Sequence, residues 1–277
     1  MSNDTRKYTG PKIVVYGGTR NIYDKMARSA KSLLCHTDVD KVYFMIEDDE
    51  FDYPEKLPDN FACINVSNQQ YFPSFGPNYN TRSTYMSMMR MALYDMLPQY
   101  DRVLWLDDDT YILRDISDIF NVPLEDTYYA AMCDEVECYS EMIQISRNKG
   151  NWITRTYPML STYSYFNDGV AVLNLKKLRD GMGDTLIDAL NTFKMGCADQ
   201  DAFNEYCHEY IYLLPPEYNA AHFTSPVNHP KIYHYSGLSE RGETKMFEEH
   251  YNNLTFEEIV NWRKARKEYI ANVRNKK

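Results

Sequence analysis

Residues 102–113, RVLWLDDDTYIL, constrain this chain more than any other stretch, because an apolar run stops at three adjacent carboxylates. Val103 to Leu106 has the length and composition of a strand covered on both faces, which belongs in a parallel sheet flanked by helices. Asp107, Asp108 and Asp109 then stand at its C-terminal end. Alternation along a strand predicts that Asp107 and Asp109 face the same way, with α-carbons about 6.5 Å apart, and that Asp108 faces elsewhere. Two carboxylates so placed can share one hard cation. In open α/β sheets the crevice outside the carboxyl ends of the strands is where ligands bind, so the position suits a site. A solvated acidic turn is the other reading of the same three residues, since Asp is a good turn former.

The rest of the chain alternates strand and helix. Residues 12–18, KIVVYGG, read as a first strand ending in glycines, followed by Thr19, Arg20 and Asn21 and a helix over about 24–35. Such a loop can present backbone N–H groups and a helix N-terminus to a phosphate or a base. The glycine pair fits neither GxGxxG nor a P-loop, and a plain βα turn explains it as well. Residues 41–47 and 63–67 read as strands, and the aromatic, Pro- and Gly-containing stretch 70–80 as a packed or binding loop. Residues 81–97 carry Tyr85, Met89, Ala92 and Met96 on one helical stripe, with Arg90 off it and therefore read as solvated. A short helix near 116–120 precedes a strand at 128–133 that again stops at acids, Asp134 and Glu135. Residues 137–163 are mixed, with a helical tendency at 140–147.

Further on, residues 165–175 give a polar turn and a buried strand, and 176–195 contain a helix with Met182, Leu186, Ala189 and Phe193 on one face. Ala198 opens another helix whose first turn holds Asp199 and Asp201, where the helix dipole favours acids. Residues 210–214 and 231–235 read as two more strands, the second carrying His234; a lone histidine on a strand is usually structural. Thr255-Phe256-Glu257-Glu258 has the form of a capping box. It starts a C-terminal helix with Ile259, Trp262, Tyr269 and Val273 as its apolar stripe and Arg263, Lys264, Arg266 and Lys267 on the other face. The organisation is one α/β domain over residues 1–250 and an amphipathic basic helix over 251–277.

Composition excludes some functions. A net charge of −10 argues against broad nucleic-acid binding, which needs a basic face. An anionic substrate would then need a metal or local arginines. No segment reaches the ~20 apolar residues of a membrane span and the first residues lack a signal-peptide core, which gives a cytoplasmic expectation. The six cysteines are scattered without a CxxC pair and read as buried free thiols. The basic C-terminal helix can make a weak contact with an anionic membrane surface, although packing on its own domain with solvated lysines explains it more economically.

With these residues in order, the chain resembles glycosyltransferase family 8, which includes glycogenin, bacterial galactosyltransferases and galactinol synthase. The resemblance covers about residues 12–237. It rests on the first strand with its Asn21/Tyr23 loop, Arg90 in the helix before the acids, and Leu106-Asp107-Asp108-Asp109 in the place of the family's LDxD. It continues with Phe166-Asn167-Asp168-Gly169-Val170 against the usual FNaGv, Asp199-Gln200-Asp201 with Asn204 against DQDxxN, and His234-Tyr235-Ser236-Gly237 against HxxG. The resemblance implies a GT-A fold: a mostly parallel central sheet flanked by helices, here with a C-terminal helical extension.

By the same resemblance Asp107, Asp109 and His234 would hold a Mn²⁺ or Mg²⁺ that binds both phosphates of a UDP-sugar, and such donors suit these cations. Gly17, Thr19, Asn21 and Tyr23 would line the uridine pocket, with Tyr23 stacking on the base. Gly237, the glycine of HxxG, would help bind the nucleotide-sugar, and Asp108 would touch ribose or donor sugar, or cap the turn. Arg90, Asn167 and Asp199 would hold donor-sugar hydroxyls, and Gln200 would face the sugar's β side in a retaining transfer. The family's KPW after HxxG is missing; Arg241 and Lys245 are the nearby cations. The implied function is a metal-dependent, retaining hexosyltransferase acting from a UDP-sugar on an unknown acceptor, a glycan, a protein or a small molecule, as a monomer or a homodimer. Two other readings fit the residues: a metal-dependent nucleotide-sugar hydrolase, and a non-catalytic nucleotide-sugar or carbohydrate-binding protein on a degenerate transferase fold.

Overall fold

A run of strands covered on both faces needs helices on both sides, and the chain supplies them. The computed structural model describes residues 7–47, 53, 55–80, 84–133, 165–221, 226–235 and 242–274. Among these, strands β1 (Ile13–Gly18), β2 (Lys41–Ile46), β3 (Phe61–Asn65), β4 (Val103–Leu106), β6 (Tyr129–Cys133), β7 (Phe166–Leu173) and β8 (Ile211–Leu213) form one sheet in the order β3-β2-β1-β4-β7-β6-β8. Pairing is parallel except on the two sides of β7, which runs antiparallel to β4 and β6. The fold class is therefore the expected mixed α/β with a mostly parallel sheet.

Period-two alternation sorts the strand side chains into two cores. Val15, Met45, Trp105 and Ala171 pack on one side with Met88, Met91, Leu186 and Phe203. Val14, Phe44, Leu104 and Val172 pack on the other with Met26, Ala30 and Leu33 of helix α1 (Tyr23–His36). Each of the larger side chains taken fully out of water contributes roughly 1.5–3 kcal/mol before entropy is counted.

Two expectations change. Residues 81–97 do not make one continuous helix: an α turn, α2 (Thr84–Met88), passes through a 3₁₀ stretch, Met89–Ala92, into a second, α3 (Leu93–Met96). Every residue from Met88 to Leu93 is buried, so the segment runs through the interior with no solvent face. Arg90 is accordingly 3% exposed rather than solvated. The second change is in the acidic stretch, where β4 stops at Leu106. The aspartates form a turn, and a separate short strand, β5 (Thr110–Ile112), pairs antiparallel with β9 (Ile232–His234). Serines of α1 hold β5 in place: Ser32 Oγ accepts from the Ile112 N–H at 2.9 Å, and the Ser29 and Thr110 hydroxyls lie 2.9 Å apart.

After β7 come helices α4 (Leu175–Leu178), α5 (Met182–Thr192), α6 (Ala198–Cys207), α7 (Gly242–Asn252) and α8 (Phe256–Arg274). The capping box at the start of α8 is formed: Glu258 Oε2 accepts from the Thr255 N–H at 2.8 Å, and Thr255 Oγ1 accepts from the Glu258 N–H at 3.2 Å. Of the expected apolar stripe only Ile259 is buried, beside Phe256; Trp262 is 51% and Tyr269 70% exposed. Arg263 anchors the helix by donating to the Thr37 carbonyl at 2.6 Å and to that of Leu34, at the end of α1, where carbonyls lack helical partners. Beyond it α8 runs exposed through Val273. No helix among the described residues is long and apolar enough to cross a membrane.

Candidate active site

Strand order reverses between β1 and β4, because β2 and β3 lie to one side of β1 and the later strands to the other. That reversal opens a crevice at the C-terminal ends of both strands. Gly17 and Gly18 end β1 there, and Asp107 follows β4. A side chain at Gly17 would meet the Trp105 indole at 2.5 Å, so glycine there is required by packing against the neighbouring strand.

The acids are brought together by the turn and by strand pairing, not by alternation along one strand. Thr110 Oγ1 donates to the Asp107 carbonyl at 2.8 Å, closing the turn, and the Asp107 N–H donates to the Gly169 carbonyl at 2.8 Å, fixing it against β7. The β5–β9 register sets Thr110 opposite His234, and the Tyr235 N–H donates to the Asp109 carbonyl at 3.0 Å. His234 Nε2 comes to rest 3.1 Å from Asp109 Oδ1 and 3.9 Å from Asp107 Oδ2. One ligand atom from each of Asp107, Asp109 and His234 lies within 4.8 Å of the other two. Burial works against a charged His234 ring, but Asp109 and then Asp107 raise its pKa above the usual value. The half-buried Asp108 carboxyl is pushed up to about 7 by burial and by Asp109 and Asp107 beside it.

The donor set suits a divalent cation. Two carboxylates and an imidazole supply hard oxygens and a nitrogen that Mn²⁺ accepts. Gly169 shapes the floor of this cradle: a Cβ there would lie 2.2 Å from His234 Cε1 and 2.9 Å from Asp107 Oδ2.

Behind the trio, Arg90 binds three carboxylates. Its Nη2 is 3.0 Å from Asp107 Oδ1, its Nη1 is 3.1 Å from Asp168 Oδ1 and its Nε is 2.9 Å from Asp199 Oδ2. Nη1 also donates to the Asp168 carbonyl at 2.7 Å. The guanidinium lies 4.4 Å over the Trp105 ring, and the Trp105 N–H donates to Asp107 Oδ1 at 2.8 Å. With Oδ1 held by an arginine and an indole, Asp107 turns Oδ2 toward His234. Burial opposes the Arg90 charge, yet Asp168, Asp199 and Asp107 raise its pKa and hold the cation. Asp168 goes the other way: burial, with Asp199 and Asp107 nearby, raises its carboxyl well above the usual range despite Arg90.

Helix α6 supplies the remaining groups. Asp199 Oδ1 accepts from the Ser87 hydroxyl at 2.9 Å. Gln200 Oε1 accepts from Asn167 Nδ2 at 3.0 Å. Asp201 instead serves the helix start, accepting the Gly196 and Cys197 N–H groups at 2.8 and 2.9 Å. Asn204 ties down the beginning of β7, accepting from the Phe166 N–H at 2.7 Å and donating to its carbonyl at 2.8 Å. Next to that tie the β6–β7 register shifts between Ala130 and Met132, so β7 bulges where it carries Asp168 and Gly169. A bulge re-aims side chains beside a site.

Arg90, Asp107, Asp109, Asn167, Asp199, Gln200 and His234 thus lie together at this end of the sheet. The expected base pocket differs. Thr19 donates to the exposed Asn21 side chain at the rim, but the Tyr23 ring is 3% exposed, edge-on to Phe44 and Tyr53 in the α1 core. Stacking on a base needs an open ring face, so Tyr23 is placed as a packing residue. Gly237, Arg241, Asp134 and Glu135 lie outside the described residues; Lys245 is exposed on α7. Sequence reading missed Trp105, Ser87 and Asn219 as partners of the site. Asp168 carried a signal, being an acid inside an otherwise apolar strand pattern.

Sheet order and crevice define an α/β protein of the GT-A nucleotide-diphospho-sugar transferase fold. The bifunctional glycosyltransferase WbbM superposes with a TM-score of 0.65 at 18% identity, over 92% of this chain and 52% of that one. The galactosyltransferase LgtC, solved with donor and acceptor sugar analogs, gives 0.64 at 20% identity over 88% and 96%. The chain belongs to glycosyltransferase family 8, matching Glycosyl transferase family 8 over residues 13–242. Glycosyltransferase 8 domain-containing protein 1 of Xenopus tropicalis is 30% identical over 105 residues, 34% of this chain and 28% of that protein. The chain therefore spans under a third of that relative's length and about half of WbbM.

Proposed function

We propose that this protein is a metal-dependent glycosyltransferase that moves a hexose from a UDP-sugar to an acceptor with retention of configuration. The observation that carries the reading is the trio Asp107, Asp109 and His234, whose ligand atoms lie within 4.8 Å of one another at the strand-order reversal. Asp107, Asp109 and His234 would hold a Mn²⁺ or Mg²⁺, which would supply Lewis-acid stabilisation of negative charge on a departing diphosphate. The cation's charge also answers how a chain of net charge −10 takes an anionic donor.

The chain's own residues do the rest. Arg90 and Trp105 hold Asp107 in one rotamer, so the trio is ordered before any ligand arrives. Asp199, fixed between Arg90 and Ser87, and Asn167 supply acceptor and amide groups for sugar hydroxyls. Gln200, anchored through Oε1, keeps its Nε2–H group to donate to an oxygen of the donor. Thr19, Asn21 and the Gly17–Gly18 backbone form the rim of the base pocket, with Asp108 between base and sugar. Helix α8, with Trp262 and Tyr269 exposed among basic residues, makes a weak secondary contact with anionic lipid.

Incubation with Mn²⁺, a panel of UDP-sugars and candidate acceptors, read by UDP release and by intact mass of the protein itself, tests the reading. The expected result is metal-dependent UDP release with at least one donor, and its loss in Asp109→Asn. No release and no metal-dependent UDP binding by calorimetry would sink it. Equal release of free sugar with and without acceptor would instead identify a hydrolase.

A further inference from the structure

Asn219 was not among the residues the sequence singled out, yet it is fully buried between two parts of the site. Its Oδ1 lies 3.0 Å from His234 Nδ1, and its Nδ2 donates to Asn167 Oδ1 at 2.8 Å. Asn167 Nδ2 in turn donates to Gln200 Oε1 at 3.0 Å. The four side chains form one unbroken chain from the cation trio to the residue facing the sugar. We infer that Asn219 is a positioning residue: it fixes which nitrogen of His234 faces the cation and couples that choice to the orientation of Gln200. The inference rests on the proposed metal-dependent transfer.

Backbone groups fix the direction of every bond in this chain. The Gly169 N–H can only donate, and it donates to Asn167 Oδ1 at 3.1 Å. Asn167 therefore turns its oxygen to Gly169 and Asn219 and its amide to Gln200. Gln200 must meet that amide with oxygen, and the Asp168 N–H, 3.3 Å from the same Oε1, requires the same. The atom of Asn219 facing Asn167 Oδ1 must be nitrogen, so its oxygen faces His234. His234 Nδ1 must then carry a hydrogen, which leaves Nε2 as the atom that meets Asp109, Asp107 and a cation. A metal-bound imidazole usually has its other N–H held in this way, and removing the holder typically weakens the site 10–100-fold.

The backbone of Asn219 is fastened as firmly as its side chain. Its N–H donates to the Pro216 carbonyl at 3.2 Å. Ala220, next in the chain, donates to Ile232 at 3.1 Å and accepts from the His234 N–H at 2.8 Å. Asn219 and His234 thus move together or not at all.

Two substitutions separate the two halves of the role. Asn219→Asp keeps an acceptor for the His234 Nδ1–H but loses the donor to Asn167; Asn219→Ala loses both. Nitrogen-15 spectra of the metal-free protein should show a protected Nδ1–H on His234 in the parent and in Asn219→Asp, and a rapidly exchanging one in Asn219→Ala. Mn²⁺ affinity in the presence of UDP, read by electron paramagnetic resonance, should stay within about threefold of the parent in Asn219→Asp and fall 10–100-fold in Asn219→Ala. Turnover should fall at least tenfold in Asn219→Asp with little change in donor KM, and Gln200→Ala should add little to that loss in the double variant.

An Nδ1–H equally protected in Asn219→Ala, Mn²⁺ affinity equal in all three proteins, or additive losses in the double variant would overturn the inference. Should Asn219→Ala not fold, Asn219→Asp and the double variant decide it alone. A parent that binds no Mn²⁺ with UDP overturns the metal reading instead, and the ring spectra still decide the role of Asn219.

Discussion

Arg90→Met is the perturbation that tests the buried charge cluster most directly. It keeps a long side chain over Trp105 and removes the cation that three carboxylates share. In the parent, the side chains of Arg90, Asp168 and Asp199 are 4%, 6% and 8% exposed, so solvent screens these pairs little, whereas Asp107 is 29% exposed and counts for less. Removing one partner of a buried ion pair costs about 3–5 kcal/mol, most of it from the charge left behind. For 277 residues the unfolding entropy is about 0.6 kcal/mol per kelvin, so Tm should fall by roughly 5–9 °C.

The deficit should depend on pH in a definite direction. Asp168 already has its pKa raised in the folded protein, and without Arg90 it rises further. A carboxyl with a raised folded pKa imposes no penalty below its unfolded value of about 3.9, one that grows between that value and the folded one, and a constant one above it. Urea denaturation of parent and variant from pH 5 to pH 8 should therefore show the smaller difference at pH 5. Adding Asp168→Asn to Arg90→Met should recover at least about 1 kcal/mol at pH 8. A variant within about 1 kcal/mol of the parent at pH 8, or a deficit constant from pH 5 to pH 8, would refute the reasoning.

Gly169→Ala would push a methyl against His234 Cε1 and Asp107 Oδ2, at 2.2 and 2.9 Å; the expected cost is about 1–3 kcal/mol, together with loss of any Mn²⁺-induced rise in Tm by differential scanning fluorimetry. Trp105→Phe keeps a ring under Arg90 but removes the N–H donated to Asp107, so stability by urea denaturation should drop about 1–2 kcal/mol and Mn²⁺ affinity should weaken. Thr255→Ala breaks the capping box at the start of α8 and should cost about 1 kcal/mol in the same measurement, with metal affinity unchanged.

Sheet strands were legible in the sequence because apolar runs of fixed length bounded by glycine, proline or acids leave few alternatives. The terminal helix was legible from Thr255 and Glu258 alone. Arg90 was misread by helical periodicity, since stripe arguments assume a helix with one face in water, and the segment around Met89 has none. The turn after Leu106 is one of the two readings the three aspartates allow, but the strand beyond it is not legible, because Thr110, Tyr111 and Ile112 suit a continued strand as well as a new one. The trio nevertheless forms, by a pairing with β9 that no local pattern encodes. Asn219 was invisible for a related reason: an asparagine after Pro215 and Pro216 reads as loop, and only the bridge between Ala220 and Tyr233 shows what it sits beside. Tyr23 was assigned to the base pocket by its place in a motif, while its burial follows from its position on the inward face of α1.

The β5–β9 pairing also makes the trio depend on a contact distant in sequence. Thr110 and His234 come from far-apart stretches of the chain, so their pairing closes a long loop and carries its entropy cost. Asp107 and Asp109 can reach their turn while the sheet forms, but the imidazole arrives only after the segment carrying Asn219 and β9 has docked. During synthesis, therefore, a chain that has not yet emerged past Tyr235 holds two acids and no cage for a cation. The proposed cation site is thus complete only when β9 is paired with β5, and any change that lifts β9 away takes His234 from Asp107 and Asp109.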